Sequence, residues 1–201
     1  MLKFLKLLLV IFLFSFQVNA NDLIKKNKTD LKRIENYLQN IKNLRANFIQ
    51  TSPDGTYVLG KFYLKRPGKM RIEYVVPTPI LITVNGGVLA YKDVELEEVS
   101  YLRTNSTPAS FLTRKKIDFS AKDIQVTNFA KENNLMKVSL VKKNKKEAGE
   151  FTLIFENNPI NFLRMEVKDD MDQVTKVTLE DHDFKGEIDS QLFYIKNPQL
   201  P

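Results

Sequence analysis

The chain has 201 residues, a net charge of +7, one histidine and no cysteine. Without cysteine there is no disulfide, no thiolate cluster and no lipid-bearing N-terminal cysteine. Zinc would have almost no ligands to draw on. None of the seven glycines falls in a phosphate-binding GxxxxGK[ST] pattern, so nothing supports nucleotide hydrolysis. No cofactor or metal is expected.

The chain opens MLKFLKLLLVIFLFSFQVNA. Lys3 and Lys6 precede an apolar run from Leu7 to Phe16, interrupted only by Ser15. Val18, Asn19 and Ala20 then resemble a small-residue cleavage site. This pattern predicts a secretory signal peptide over 1–20, cut after about Ala20. A membrane span needs about 20 apolar residues, and polar Gln17 and Asn19 come too soon. The remainder, 21–201, has a net charge of +5 and is expected to form one domain in an extracytoplasmic space such as a bacterial periplasm.

Residues 21–28 are polar and basic and are expected to be irregular. Leu31, Ile34, Leu38, Ile41 and Leu44 follow at spacings of three and four, one face of an amphipathic helix. Thr29 or Asp30 can cap it. The period then becomes two. A short strand around Phe48 ends near Ser52, and Pro53-Asp54-Gly55 marks a turn. A strand over 56–65 leads to the tight turn Arg66-Pro67-Gly68. Beyond it Met70, Ile72, Tyr74 and Val76 alternate with charged residues. Strands at 80–84 and 88–91 flank Asn85-Gly86-Gly87, a hairpin signal. Another strand is expected near 95–101, and a short helix over 107–113 with Thr107 as cap and Pro108 at its first position. Further strands are predicted near 124–130, 135–141, 150–156, 161–168, 173–181 and 191–195. Short strands separated by turns point to one curved antiparallel sheet.

Candidate chemistry is sparse. His182 lies between Asp181 and Asp183, but strand periodicity turns both carboxylates away from it. No nucleophile or oxyanion donors accompany it, so a surface histidine is the better reading and no enzymatic activity is expected. Asp169, Asp170 and Asp172 lack the glycine and distal glutamate of a calcium loop and read as a hairpin turn. Lys142, Lys143, Lys145 and Lys146 read as a solvated hairpin tip rather than a site for anionic lipid or nucleic acid.

The ordered series Phe48-x-Gln50, Pro53-Asp54-Gly55, Gly60, Arg66-Pro67-Gly68-Lys69, Tyr74, Pro77 and a glycine turn resembles the LolA family of periplasmic lipoprotein carriers. The GKMRIEY form is similar to its alphaproteobacterial branch. Thr107-Pro108, Gly149 to Phe155 followed by Pro159, and Leu192-Phe193 agree with it. The resemblance implies an incomplete antiparallel β-barrel, mainly β with α cover, lidded by the N-terminal helix and the short middle helix. It implies that Arg66 bonds to lid carbonyls near Leu38 and near Leu112 and Thr113. The implied acyl-chain cavity is lined by Phe48, Phe62, Leu64, Met70, Ile72, Tyr74, Leu81, Leu89, Phe111 and Leu112, with Phe155 and Met165 opposite. On spacing alone, Arg66 reads first as a solvated turn charge, and each apolar position reads equally as ordinary core. The implied partners are lipoproteins held by their acyl chains, an inner-membrane ABC transporter and, where one exists, an outer-membrane receptor. The protein is expected to act as a monomer. A carrier of another lipid and a solid β-domain are the alternatives. The chain departs from the family in having Met70 and Ile72 where aromatics are common, and in stopping soon after Pro198.

Overall fold

The computed structural model describes residues 20–196, except 76, 78, 108, 109, 146 and 147. The expected signal segment, apart from Ala20, therefore lies outside the described residues. So do Val76, Pro108, Lys146 and the chain end around Pro198.

Eleven antiparallel strands form one sheet: β1 (Asn43–Thr51), β2 (Tyr57–Lys65), β3 (Lys69–Tyr74), β4 (Ile80–Asn85), β5 (Val88–Asp93), β6 (Val99–Arg103), β7 (Ile124–Glu132), β8 (Leu135–Lys142), β9 (Glu150–Asn157), β10 (Ile160–Lys168) and β11 (Val174–Asp183). Their order in space is β6-β5-β4-β3-β2-β1-β11-β10-β9-β8-β7. Every neighbour is joined by a hairpin except β1 and β11, which pair at the middle. The sheet is not closed, and its edges are β6 and β7. Leu89 and Val84 near one edge and Val126 and Leu140 near the other share one buried cluster, so the sheet curls round a single core.

Alternation places the apolar side chains on the inner face. In β2, Phe62 and Leu64 are fully buried while Lys61 and Lys65 point away. In β1, Leu44, Ala46 and Phe48 do the same. Gly60 lies opposite Phe48, and a Cβ built there would sit 2.4 Å from the Phe48 ring. The missing side chain lets the ring lie flat against β2 and meet Tyr74 edge-on, with centroids 5.2 Å apart.

Two helices precede the sheet. The basic segment expected to be irregular is helical: α1 spans Ala20–Lys26, and Ile24 packs on the core. Helix α2 spans Lys28–Asn40 and buries Leu31, Ile34 and Leu38. Its N-cap is Asn27, not Thr29 or Asp30, and the Asn27 amide donates back to the Leu23 carbonyl. Leu44, expected on the helix face, belongs to β1, because the helix ends at Asn40. A third helix, α3 (Ser110–Thr113), follows a 3-10 turn at Thr104–Ser106. The expected strand near 95–101 lies later, as β6. The strand expected at 191–195 is instead a 3-10 turn, Ser190–Phe193, capped by the Asp189 carboxylate and anchored by buried Phe193.

Tyr37 ties α2 to the sheet. Its hydroxyl accepts the Phe162 N–H at 3.0 Å and donates to Asn161 Oδ1 at 3.3 Å. Here β10 is irregular against β9, with a register shift between Phe162 and Arg164. Burial raises the Tyr37 pKa, so the phenol stays neutral. Tyr37→Phe is expected to remove about 1–2 kcal/mol and strip exchange protection from the Phe162 amide, readable by hydrogen exchange.

Candidate functional site

The two edge strands are consecutive in the chain. The connection between them, residues 104–123, must therefore cross the opening of the sheet. It carries α3 and inserts Phe111, Leu112, Ile117 and Phe119 into the core. Helix α2 lies beside it. Glu35 Oε1 accepts the Phe119 N–H at 2.9 Å, Gln39 Oε1 accepts the Ile117 N–H at 2.9 Å, and Gln39 Nε2 donates to the Lys115 carbonyl at 3.0 Å. The helix and the connection thus form one cover over the inner face of the sheet.

Arg66 joins that cover to the β2–β3 turn. Its Nη1 donates to the Leu38 carbonyl at the end of α2, and its Nη2 donates to the Arg114 carbonyl at 2.6 Å. Backbone bonds run beside them. The Arg66 N–H donates to Lys42 O at 2.8 Å, and the Gly68 N–H to Thr113 O at 2.8 Å. Gly68 has φ +84°, a conformation open to glycine, and its carbonyl accepts the Gly86 N–H at 2.7 Å. Of the residues expected near the arginine, Leu38 supplies a carbonyl. Leu112 does not. Thr113 is bonded through Gly68 instead, and the second acceptor is Arg114. The Arg66 Nε is buried without a partner. Burial holds the Arg66 pKa below the ordinary arginine value, yet far too high for the charge to be lost.

The Arg114 side chain braces the same corner. It donates to both carboxylate oxygens of Asp123 and lies over the Phe111 ring, 5.4 Å from its centroid. Burial alone would raise the Asp123 pKa, but the bonds from Arg114 outweigh it and leave the pKa below normal. Lys116 and the Ser120 hydroxyl hold Asp118 down to about 2.

Most of the expected lining residues meet on the inner face. Phe48, Phe62, Leu64, Met70, Leu89, Phe111, Leu112, Phe155 and Met165 are buried in one cluster, with Ile72 and Tyr74 packed against it. Phe155 stacks on Phe162 at 5.3 Å, and Phe111 on Phe119 at 5.1 Å. The cover's own Leu31, Ile34 and Leu38 fill the same space. In this state the expected hollow is occupied by the cover.

Leu81 is a correction. Its neighbours Ile82 and Val84 take the inner face, and Leu81 lies on the outer one. There it lines a groove of about 600 Å³ with Arg71, Tyr101 and Tyr194. Arg71 pairs with Glu73 at 2.6 Å and donates to the Leu192 carbonyl, pinning the C-terminal turn to the outer face.

Away from the cover, the inner face continues as a partly open apolar rim. Ile72, Ile82 and Tyr91 lie side by side across β3, β4 and β5. Tyr91 is 38% exposed and Leu102 44%. Tyr74 donates to Gln50 Oε1 at 2.7 Å, and burial, with Tyr91 as a lesser cause, pushes its pKa up to about 12.

Spacing did not single out Ile117 and Phe119 beforehand, although their alternation in KIDFS was a usable signal. His182 Nε2–H donates to the Phe162 carbonyl at 2.7 Å, and the ring stacks on Phe184. Asp181 instead accepts from Asn47, and Asp183 from the amides of Lys185 and Gly186. Asp169 accepts the Met171 and Gln173 amides in a hairpin turn.

Several known proteins are similar to the chain in sequence or in fold. The chain is 24% identical over 196 residues to an uncharacterised protein of Rickettsia prowazekii, covering 98% of this chain and 90% of that one. It is 28% identical over 181 residues to the outer-membrane lipoprotein carrier protein of Methylococcus capsulatus, covering 85% of each. Among solved structures, a DUF1329 family protein from Desulfovibrio piger superposes with a TM-score of 0.52 at 12% identity, over 88% of this chain and 99% of that one. An uncharacterised conserved protein from Thermus thermophilus gives 0.50 at 12% identity, over 87% and 98%. These two likenesses are of fold alone. The family profile described as outer membrane lipoprotein carrier protein LolA matches residues 39–196, from the end of α2 through the whole sheet to the C-terminal turn, and the chain belongs to that family.

Proposed function

We propose that the protein is a non-enzymatic periplasmic chaperone. It takes the acyl chains of lipoproteins released from the inner membrane and carries them to the outer membrane. The observation that carries this reading is the Arg66 junction: a cation bridging two carbonyls of a movable cover above a face built of Phe, Met and Leu. Charge-assisted bonds contribute roughly 1.5–3 kcal/mol each. The Nε left without an acceptor takes back about 1–3 kcal/mol. The closed state is thus held, but shallowly.

The energetics require such a cover. Burying a methylene contributes about 0.8 kcal/mol, so three chains of ~15 methylenes sum to ~36 kcal/mol. Useful affinities saturate near roughly −18 to −21 kcal/mol. A carrier that enclosed its cargo fully could not release it. Chains entering from the apolar rim at Tyr74, Ile82 and Tyr91 would displace Leu31, Ile34 and Leu38, and re-seating those side chains would offset the loss on release. Three methionines on the inner face, Met70, Met136 and Met165, supply adaptable walls. With no nucleotide site in the chain, loading energy comes from outside, as an inner-membrane ABC transporter would provide.

Gentle purification from native membranes, followed by mass spectrometry of retained ligands, tests this. Acylated peptides are the expected cargo. Free glycolipid or another lipid in their place would overturn lipoprotein carriage while keeping the fold's role as a lipid carrier.

A further inference from the structure

We infer that the outer surface of the cover is a docking face for an anionic phospholipid bilayer. The charge of the chain is unevenly distributed. Residues 20–42 hold six Lys and Arg against three Asp and Glu, and residues 114–123 hold four against two. These two segments, which are α1, α2 and the second half of the connection, therefore carry a net +5. All other residues from 43 onward hold nineteen of each sign and are neutral in sum. The whole excess charge of the chain after residue 20 sits on the cover and on the helix α1 that leads into it.

Asp22 is exposed with no ion-pair partner among the described residues, and the other four acids are tied down locally. Asp30 pairs with Arg33 and Lys131, Glu35 accepts from Lys32 and the Phe119 amide, Asp118 pairs with Lys116, and Asp123 with Arg114. Lys25, Lys26, Lys28, Lys115 and Lys122 are exposed and have no ion-pair partner among the described residues. Their ammonium groups are available to an outside anion.

The surface between them has a second property. Lys25, Lys28, Lys32 and Lys116 rim a hollow of about 500 Å³ whose wall includes half-buried Ile24, the edges of buried Leu31 and Phe119, and the paired carboxylates Glu35 and Asp118. Cations around an apolar floor match a phospholipid interface, where phosphate lies above acyl carbon and lysine stems cover the boundary. A bilayer also presents one sign of charge over a wide area, as this spread of lysines requires. The contact weakens with salt, since the Debye length is about 8 Å at physiological ionic strength.

This inference rests on the cover being the moving part of the carrier, but its test uses the empty, signal-free protein. Co-sedimentation with vesicles of phosphatidylcholine alone, and with 30 mol% phosphatidylglycerol added, reads binding directly. Binding is expected only to the anionic vesicles and should fall steeply as salt rises. A Lys25→Gln, Lys28→Gln, Lys115→Gln variant should lose about a hundredfold, since each lysine near such a surface is worth roughly five-fold. A Lys61→Gln, Lys137→Gln, Lys176→Gln variant, altered on the sheet, should bind like wild type. Circular dichroism and saturable uptake of an apolar dye in solution check that both remain folded and competent. No binding to anionic vesicles, equal loss in both variants, or unchanged binding of the cover variant would each overturn the inference. The first of these would point to an acidic protein as the partner of the cover. Dye uptake that persists in any of these cases leaves the carrier reading standing; its absence in wild type counts against that reading alone.

Discussion

Arg66→Leu is expected to fold, to accept lipoprotein and to retain it, shifting the balance between loaded and empty forms about 10²-fold towards loaded, the worth of the two bonds less what the unpartnered Nε takes back. Two bonds to carbonyls of the cover disappear, each contributing roughly 1.5–3 kcal/mol, and both exist only when the cover is down. On the proposed reading, cargo held above the sheet excludes them. Their loss raises the free energy of the empty closed state and leaves the loaded state untouched, so release becomes harder. The measurement is transfer of bound lipoprotein to acceptor membranes, alongside the amount of cargo that copurifies. Arg66→Lys keeps the charge but not the planar fork, so it should reach one carbonyl and show an intermediate defect. Normal delivery by Arg66→Leu would remove the latch from the mechanism.

Gly60→Val is expected to lower the thermal midpoint by several degrees or prevent folding. The added Cβ would lie 2.2 Å from the Glu73 carbonyl and 2.4 Å from the Phe48 ring. Neither can yield easily, because one is sheet backbone and the other is a fully buried ring against Tyr74. Overpacking of this kind costs about 1–3 kcal/mol, and in a domain of this size each kcal/mol moves the midpoint by roughly 2–4 °C. Calorimetry reads the shift. Gly55→Ala, at a turn with nothing within 4 Å, separates the crowding from the loss of glycine itself, since φ there is +85° and only conformational strain applies.

The strands were legible because alternation survives wherever one face is wet. Period two located β2 and β3 almost to the residue, and the Asn-Gly-Gly and Arg-Pro-Gly turns marked both hairpins. Leu81 escaped because Ile80, Leu81, Ile82 and Val84 are all apolar, so parity alone cannot choose the inner face. The end of α2 was misjudged for a related reason: Leu44 continues a helical spacing while already obeying the strand. Helix α1 had only Leu23 and Ile24 to announce it. The Arg66 acceptors illustrate another limit. Every residue has a carbonyl, so no side chain distinguishes Arg114 from Leu112 or Thr113 as the second partner. The resemblance only implies a role for the arginine, whereas its partners are read from the geometry.

Because β6 and β7 follow each other in the chain, the gap in the barrel is bridged by covalent thread rather than by a ladder. Twenty residues fully extended reach ~66 Å, and part of this thread is drawn in by a 3-10 turn and by α3. The mouth can therefore spread without parting one strand from its neighbour, and its girth is metered by slack. Doubling such a loop adds only about 0.6 kcal/mol of closure entropy. A bulkier passenger calls for more thread, not for a weaker weave.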